Sequence, residues 1–104
     1  MLDLDKFDEA VPHLERALSA GPETADLHNS LGIALAEKGR VEEAIPHFEK
    51  AIALDPANRD AHANLGRAYT AAIDLATQQG NARLAAALRT RLTQMQAKIP
   101  IRQN

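Results

Sequence analysis

Four histidines are the residues of this 104-residue chain best suited to acid–base or metal chemistry: His13, His28, His47 and His62. Imidazole titrates near neutral pH, and its neutral nitrogen is a common metal ligand. Their spacing argues against both uses. His13 and His47 lie at a spacing of 34, and so do His28 and His62, so each pair is one position met twice. None opens an H-E-x-x-H sequence, the spacing that sets two imidazoles and a general base on one helix face. Ser19 and Ser30 have no acid–base partner in the neighbouring sequence that would activate a hydroxyl. Gly66 begins no G-x-G-x-x-G run, and Gly32 stands between Leu31 and Ile33, so no phosphate-cradling loop is present. Cysteine is absent, which removes disulfides and thiolate metal sites. The expectation is a protein with no catalytic residue, no metal and no cofactor.

The spacing of 34 reaches well beyond the histidines. Setting Asp3–Ala36 against Glu37–Thr70 gives twelve identical pairs, among them Glu9/Glu43, Ala10/Ala44, Pro12/Pro46, Glu15/Glu49, Ala17/Ala51, Pro22/Pro56, Leu31/Leu65 and Gly32/Gly66. A fixed period of this length marks a stacked repeat architecture. Within each period the apolar residues follow helical spacing. Leu27, Leu31, Ala34 and Leu35 fall on one face, and Val41, Ala44, Ile45, Phe48, Ala51 and Ile52 on another. Gly39 separates the two runs, where a helix end favours positive φ. Pro56 ends the second run. Asp26 and Asp60 are expected as N-caps or first-turn acids. Pro12 and Pro46 are expected near the first turn of their helices, or else to kink them. With Phe7, Phe48 and Tyr69 as the only aromatics, the core must be built from Ala, Leu and Ile. Ala44 and Ala51 are expected in tight helix contacts, with Leu31, Phe48 and Leu65 around them.

The contents of the period are His28-x2-Leu31-Gly32-x2-Leu35, then Ala44-x3-Phe48, then Ala51 and Pro56, followed by His62-x2-Leu65-Gly66-x2-Tyr69. This resembles the tetratricopeptide repeat, whose pattern is W-x2-L-G-x2-Y, A-x3-F and P. The resemblance covers roughly residues 2–76. It departs from the pattern in His for Trp, twice, and in Leu35 for the first Tyr. It implies an all-α fold: a right-handed α-solenoid of helix hairpins with about five helices. It also implies an interaction function, a scaffold or adaptor that holds a peptide or helix of a protein partner in the concave groove lined by the first helices of the units. Asn29, Ser30 and Ile33 on Asp26–Glu37, and Ala63, Asn64 and Arg67 on Asp60–Ala71, are the groove-facing residues. Asn64, just before Leu65-Gly66, matches the asparagine with which such arrays hold peptide backbone, a task suited to a carboxamide with its donor and acceptor. Ser30 stands at the matching position of the preceding unit and interrupts the ladder. The expected binding set is therefore Asn29, Ser30, Ile33, Asn64 and Arg67.

One domain is expected, read as a half repeat over residues 2–22, a full repeat over 23–58, one long helix over 59–79, a terminal helix over 82–99 and a tail over 100–104. The long helix is expected because no Gly or Pro occurs between Arg67 and Gln79, where the period calls for a turn. Tyr69-x-x-Ala72-Ile73-x-Leu75 there copies Phe48-x-x-Ala51-Ile52-x-Leu54. Ala82–Ile99 carries a narrow apolar stripe, Leu84, Leu88, Leu92, Met95 and Ile99, like that of a cap or a coiled-coil seam. The tail is expected to be disordered. Charge is uneven: residues 1–60 hold thirteen acids and six bases, and residues 61–104 one acid and six bases. Opposed ends, and a first helix without the helix that should cover Phe7, Val11 and Leu14, lead to the expectation of a homodimer in which Ala82–Ile99 packs on the other chain. Nucleic acid is the weaker reading, because the basic end has no interleaved aromatics. No run approaches membrane-spanning length and no secretory leader is visible, so a cytoplasmic setting is expected. A self-associating structural fragment without a ligand, or a repeat piece of a larger enzyme, are the alternatives.

Overall fold

The structure, a computed structural model, describes residues 4–98 of the chain. It contains five helices: α1 (Leu4–Ala20), α2 (Ala25–Glu37), α3 (Val41–Leu54), α4 (Arg59–Gln78) and α5 (Ala82–Lys98). The described residues contain no strand. The span read as a half repeat folds as α1, the span read as a full repeat folds as the α2–α3 hairpin, and the segment where the period calls for a turn is one helix, α4. The tail expected at 100–104 and Ile99 of the apolar stripe lie outside the described residues.

The helix ends follow from local chemistry. The Thr24 hydroxyl accepts from Leu27 N–H at 3.1 Å, and Asn58 Oδ1, at the next occurrence of that repeat position, accepts from Ala61 N–H at 3.1 Å. These are the N-caps, and each satisfies a donor that the first turn leaves free. Asp26 and Asp60 follow inside the first turns, near the positive end of the helix dipole. Gly39 and Gly80 stand just past the C-termini of α2 and α4 with φ of +84° and +74°, a region in which a Cβ is strained.

The prolines fall deeper than their sequence context suggests. Pro46 is in the second turn of α3, and Pro12 is midway along α1. Both are exposed, so the carbonyls of Glu42 and Asp8, which lose their helical donors, stand on the solvent side.

Each helix packs on the next in chain order, and α2 also touches α4, as a stack of hairpins requires. The core is one continuous cluster of apolar contacts in which the largest fully buried side chains are Leu31, Phe48 and Tyr69. Ala44 and Ala51 have no exposed surface, and Leu65 is buried beside them. The tightest approach is at Gly32, where a Cβ would meet the Phe48 ring at 2.6 Å. Val11, expected to be uncovered, is buried, while Phe7 and Leu14 are half-buried. The cover comes from α2, which packs on α1.

The last helix folds back on α4 of its own chain. Its Ala85 and Leu88 are buried, and Leu84, Leu92 and Met95 are half-buried against the core that Tyr69, Ala72, Ile73 and Ala76 present. In the single chain, α5 is thus a cap. None of the described helices is long and apolar enough to cross a membrane.

Candidate interaction groove and histidine cluster

Ile33 on α2 and Asn64 and Arg67 on α4 line one cavity of about 410 Å³, whose floor includes Val41, Phe48 and Ala68. Ile33 and Arg67 are the same repeat position, brought side by side because α2 and α4 are adjacent first helices. Ile33 is 41% exposed. Asn64 is 8% exposed, and its Oδ1 accepts from Arg67 Nη2. With its oxygen so engaged, the carboxamide has its N–H donors for a ligand carbonyl. Glu37 also lines the cavity, opposite in charge to Arg67, and sequence reading did not single it out.

The other two residues of the expected set lie apart. Neither Asn29 nor Ser30 lines that cavity. Ser30 is exposed, whereas Asn29 is 8% exposed and its Oδ1 is buried without a partner.

The histidines fall into two unlike groups. His28 and His47 meet across the α2–α3 hairpin with Nδ1 atoms 3.0 Å apart, and His28 Nε2–H donates to Glu23 Oε1 at 2.9 Å. The ring centres are 5.3 Å apart and the planes 27° from parallel. A 3.0 Å contact with a ring radius at each end accounts for that separation, so the rings meet edge to edge through an N–H···N bond. The Glu23 carboxylate only accepts, so His28 carries its proton on Nε2, and in the neutral pair His47 Nδ1–H donates to His28 Nδ1. The two Nδ1 atoms face each other head-on, and no room for a metal lies between them at metal–nitrogen distances of about 2.0–2.1 Å. Among the described residues, no group of three or more His, Cys, Asp or Glu could hold a metal ion.

Burial, and then the charge of His28, hold the His47 pKa below its ordinary value, while Glu15 and Glu43 pull it the other way. The hydrogen bond from His28, helped by Lys50, lowers that of Glu23. The repeat echo of the histidines was legible in the sequence. The contact between His28 and His47 belongs to the hairpin instead, a relation that the period does not reveal.

No curated protein matches the chain. Two family models, each described as tetratricopeptide repeat, match residues 2–59 and residues 35–88. The second takes in α3, the long α4 and the start of α5, so the family pattern persists through the segment where the period loses its turn. Repeats of this kind are generally protein–protein interaction modules and typically non-catalytic. Each match spans more than half of the chain, and together with the five-helix stack they place this protein in the tetratricopeptide repeat family.

Proposed function

We propose that the chain is a non-catalytic scaffold or adaptor that holds a peptide or helix of a protein partner in the groove between α2 and α4. The observation that supports this reading is the convergence of Ile33, Asn64 and Arg67 on one cavity with an apolar floor. Ile33 offers an apolar contact, the Asn64 amide a donor to peptide backbone, and Arg67 a cation for an acidic side chain. Selection of binders from a random peptide library tests it. Asn64→Ala is expected to weaken the selected peptides by the net value of one hydrogen bond, about 0.5–1.5 kcal/mol. Ile33→Asp is expected to abolish binding without changing the helical circular dichroism. Selected peptides that bind both variants as tightly as wild type would place the partner elsewhere.

A second reading is self-association as a homodimer. It is favoured by one comparison within the molecule. Ala10, Leu14 and Ala17 on α1 are only half-covered, whereas their counterparts Ala44, Phe48 and Ala51 on α3 are closed. A partly open apolar face favours burial against a second subunit.

A further inference from the structure

The α2–α4 groove does not end at α4. A second hollow, of about 470 Å³, lies between α4 and α5, and Arg67 and Ala71 line both. Glu37 lines the first hollow and Asp74 the second. Glu37 and Ala71 are the same repeat position, so Glu37 stands beside Ala71 on the adjacent first helix. Asp74 follows Ala71 by three residues, on the same face of α4. A small exposed alanine is thus flanked by two exposed acids, with Arg67 one turn back along α4.

These charges are not answered within the chain. Among the described residues, no ion pair engages Glu37, Arg67 or Asp74. The bases that follow Glu37 in sequence are committed elsewhere: Lys38 Nζ meets Asp8 at 2.9 Å, and Arg40 Nε donates to Glu43 at 2.9 Å. A helix C-terminus is the negative end of the helix dipole, and a base in the last turn complements it. Neither α2 nor α4 has one there, and Glu37 is itself the last residue of α2. The end of the groove beside Glu37 and Asp74 therefore favours a cation that the chain does not supply.

We propose that the groove binds an extended peptide in which an acidic and a basic residue stand two apart, the acid at Arg67 and the base above Ala71 between Glu37 and Asp74. This rests on the groove as the binding surface and adds the chemistry of its ligand. Arg67 and Ala71 are four residues apart, about 6 Å along a helix. Residues i and i+2 of an extended chain are about 6.6 Å apart and point the same way. The two spacings match, so one strand lying along α4 meets both charges at once. An extended chain also leaves its carbonyls open to the Asn64 amide, whose oxygen is held by Arg67, whereas a helix uses its carbonyls internally.

The test is display selection on the full chain with two octapeptide libraries, random except for a central pair. In the first library the pair is one acid and one base separated by one residue, in either order. In the second it is two acids at the same spacing. The first library is expected to yield at least tenfold more binders, and these are expected to be lost in Ile33→Asp. In the double variant Glu37→Lys, Asp74→Lys the preference is expected to reverse in favour of the second library. Both sites are exposed, and circular dichroism establishes that the helices remain. Groove binders with no preference between the libraries, or with a preference unchanged in the double variant, overturn the charge pattern and leave the groove standing as the binding surface. Binders indifferent to Ile33→Asp, or none from either library, overturn both.

Discussion

Gly32 and Gly66 occupy the same repeat position and have opposite surroundings. At Gly32 a Cβ would lie 2.6–2.9 Å from three atoms of the Phe48 ring, which is itself fully buried and has nowhere to go. At Gly66 the nearest atom is the flexible end of Met95, at 3.7 Å. Alanine in place of glycine favours a helix by about 1 kcal/mol. Gly66→Ala is therefore expected to stabilise the protein by up to that amount. In Gly32→Ala the gain is outweighed by overpacking, which costs about 1–3 kcal/mol, so that variant is expected to melt lower. Urea unfolding of the two variants side by side decides it; a shift of both in the same direction would mean that α2 and α3 are not pressed together through Phe48. The smallness of both residues was legible in the sequence. Which of the two is jammed was not, because it depends on the side chain that the facing helix brings: a rigid ring from α3 or a mobile thioether from α5.

The α2–α3 hairpin carries a pH dependence in the mildly acidic range. His47 is held neutral by burial and by the neighbouring His28, so its folded pKa lies below the ordinary 6.5. The unfolded chain then binds more protons near pH 6. The stabilisation is fully present above 6.5 and is lost as pH falls through the depressed folded value. A second proton on the pair also breaks the Nδ1–Nδ1 bond, since both atoms would then be donors. The melting temperature of wild type is expected to fall between pH 8 and pH 5, and that of His47→Gln to fall less. Parallel curves would show that the imidazole pair does not couple to folding. Glu23 and Glu43 also titrate low, held by His28 and Arg40, but their loss of stability comes below 4.5 and outside this window. At this scale the elements were largely legible. Gly39, Pro56 and the missing turn residues between Arg67 and Gln79 announce the ends of α2 and α3 and the length of α4. The prolines lie deeper than the first turn, Pro46 in the second turn of α3 and Pro12 midway along α1. Sequence position alone does not tell which face of a helix meets water, and exposure is what lets Pro46 and Pro12 sit inside α3 and α1. In the groove, Ile33, Asn64 and Arg67 converge because the repeat stacks α2 on α4. Asn29 and Ser30 lie outside that cavity although they stand four and three residues before Ile33, so helical spacing alone does not tell which residues reach it.

The described helices make an open stack rather than a ball: the Cα radius of gyration is 14.4 Å, against about 13 Å for a compact chain of about 100 residues. Its two ends differ in charge. Helix α5 carries Arg83, Arg89, Arg91 and Lys98 and no acid, while α1 carries four acids and two bases and shows a partly open apolar face. Two modes of pairing follow from these ends, and they respond to salt in different ways. If α1 of one copy meets α5 of another, the attraction is between exposed charges and is screened once the Debye length shrinks to about 10 Å at about 0.1 M salt. If the copies exchange α5, each α4 keeps the same aliphatic cover that α5 gives in cis, and salt has little to act on. The charge-led mode is the one that the surfaces favour, because α5 already covers Tyr69, Ala72, Ile73 and Ala76 within its own chain. Light scattering is expected to show a mass that rises above 11.3 kDa with concentration at low ionic strength and returns to that value as salt is added. Reversing Arg83 and Arg89 to Glu should produce the same return without salt. A mass that stays doubled in high salt and in the charge-reversed variant would identify exchange of α5 instead. A mass of one chain under every condition would remove self-association altogether and leave the α2–α4 groove as the remaining proposed binding surface.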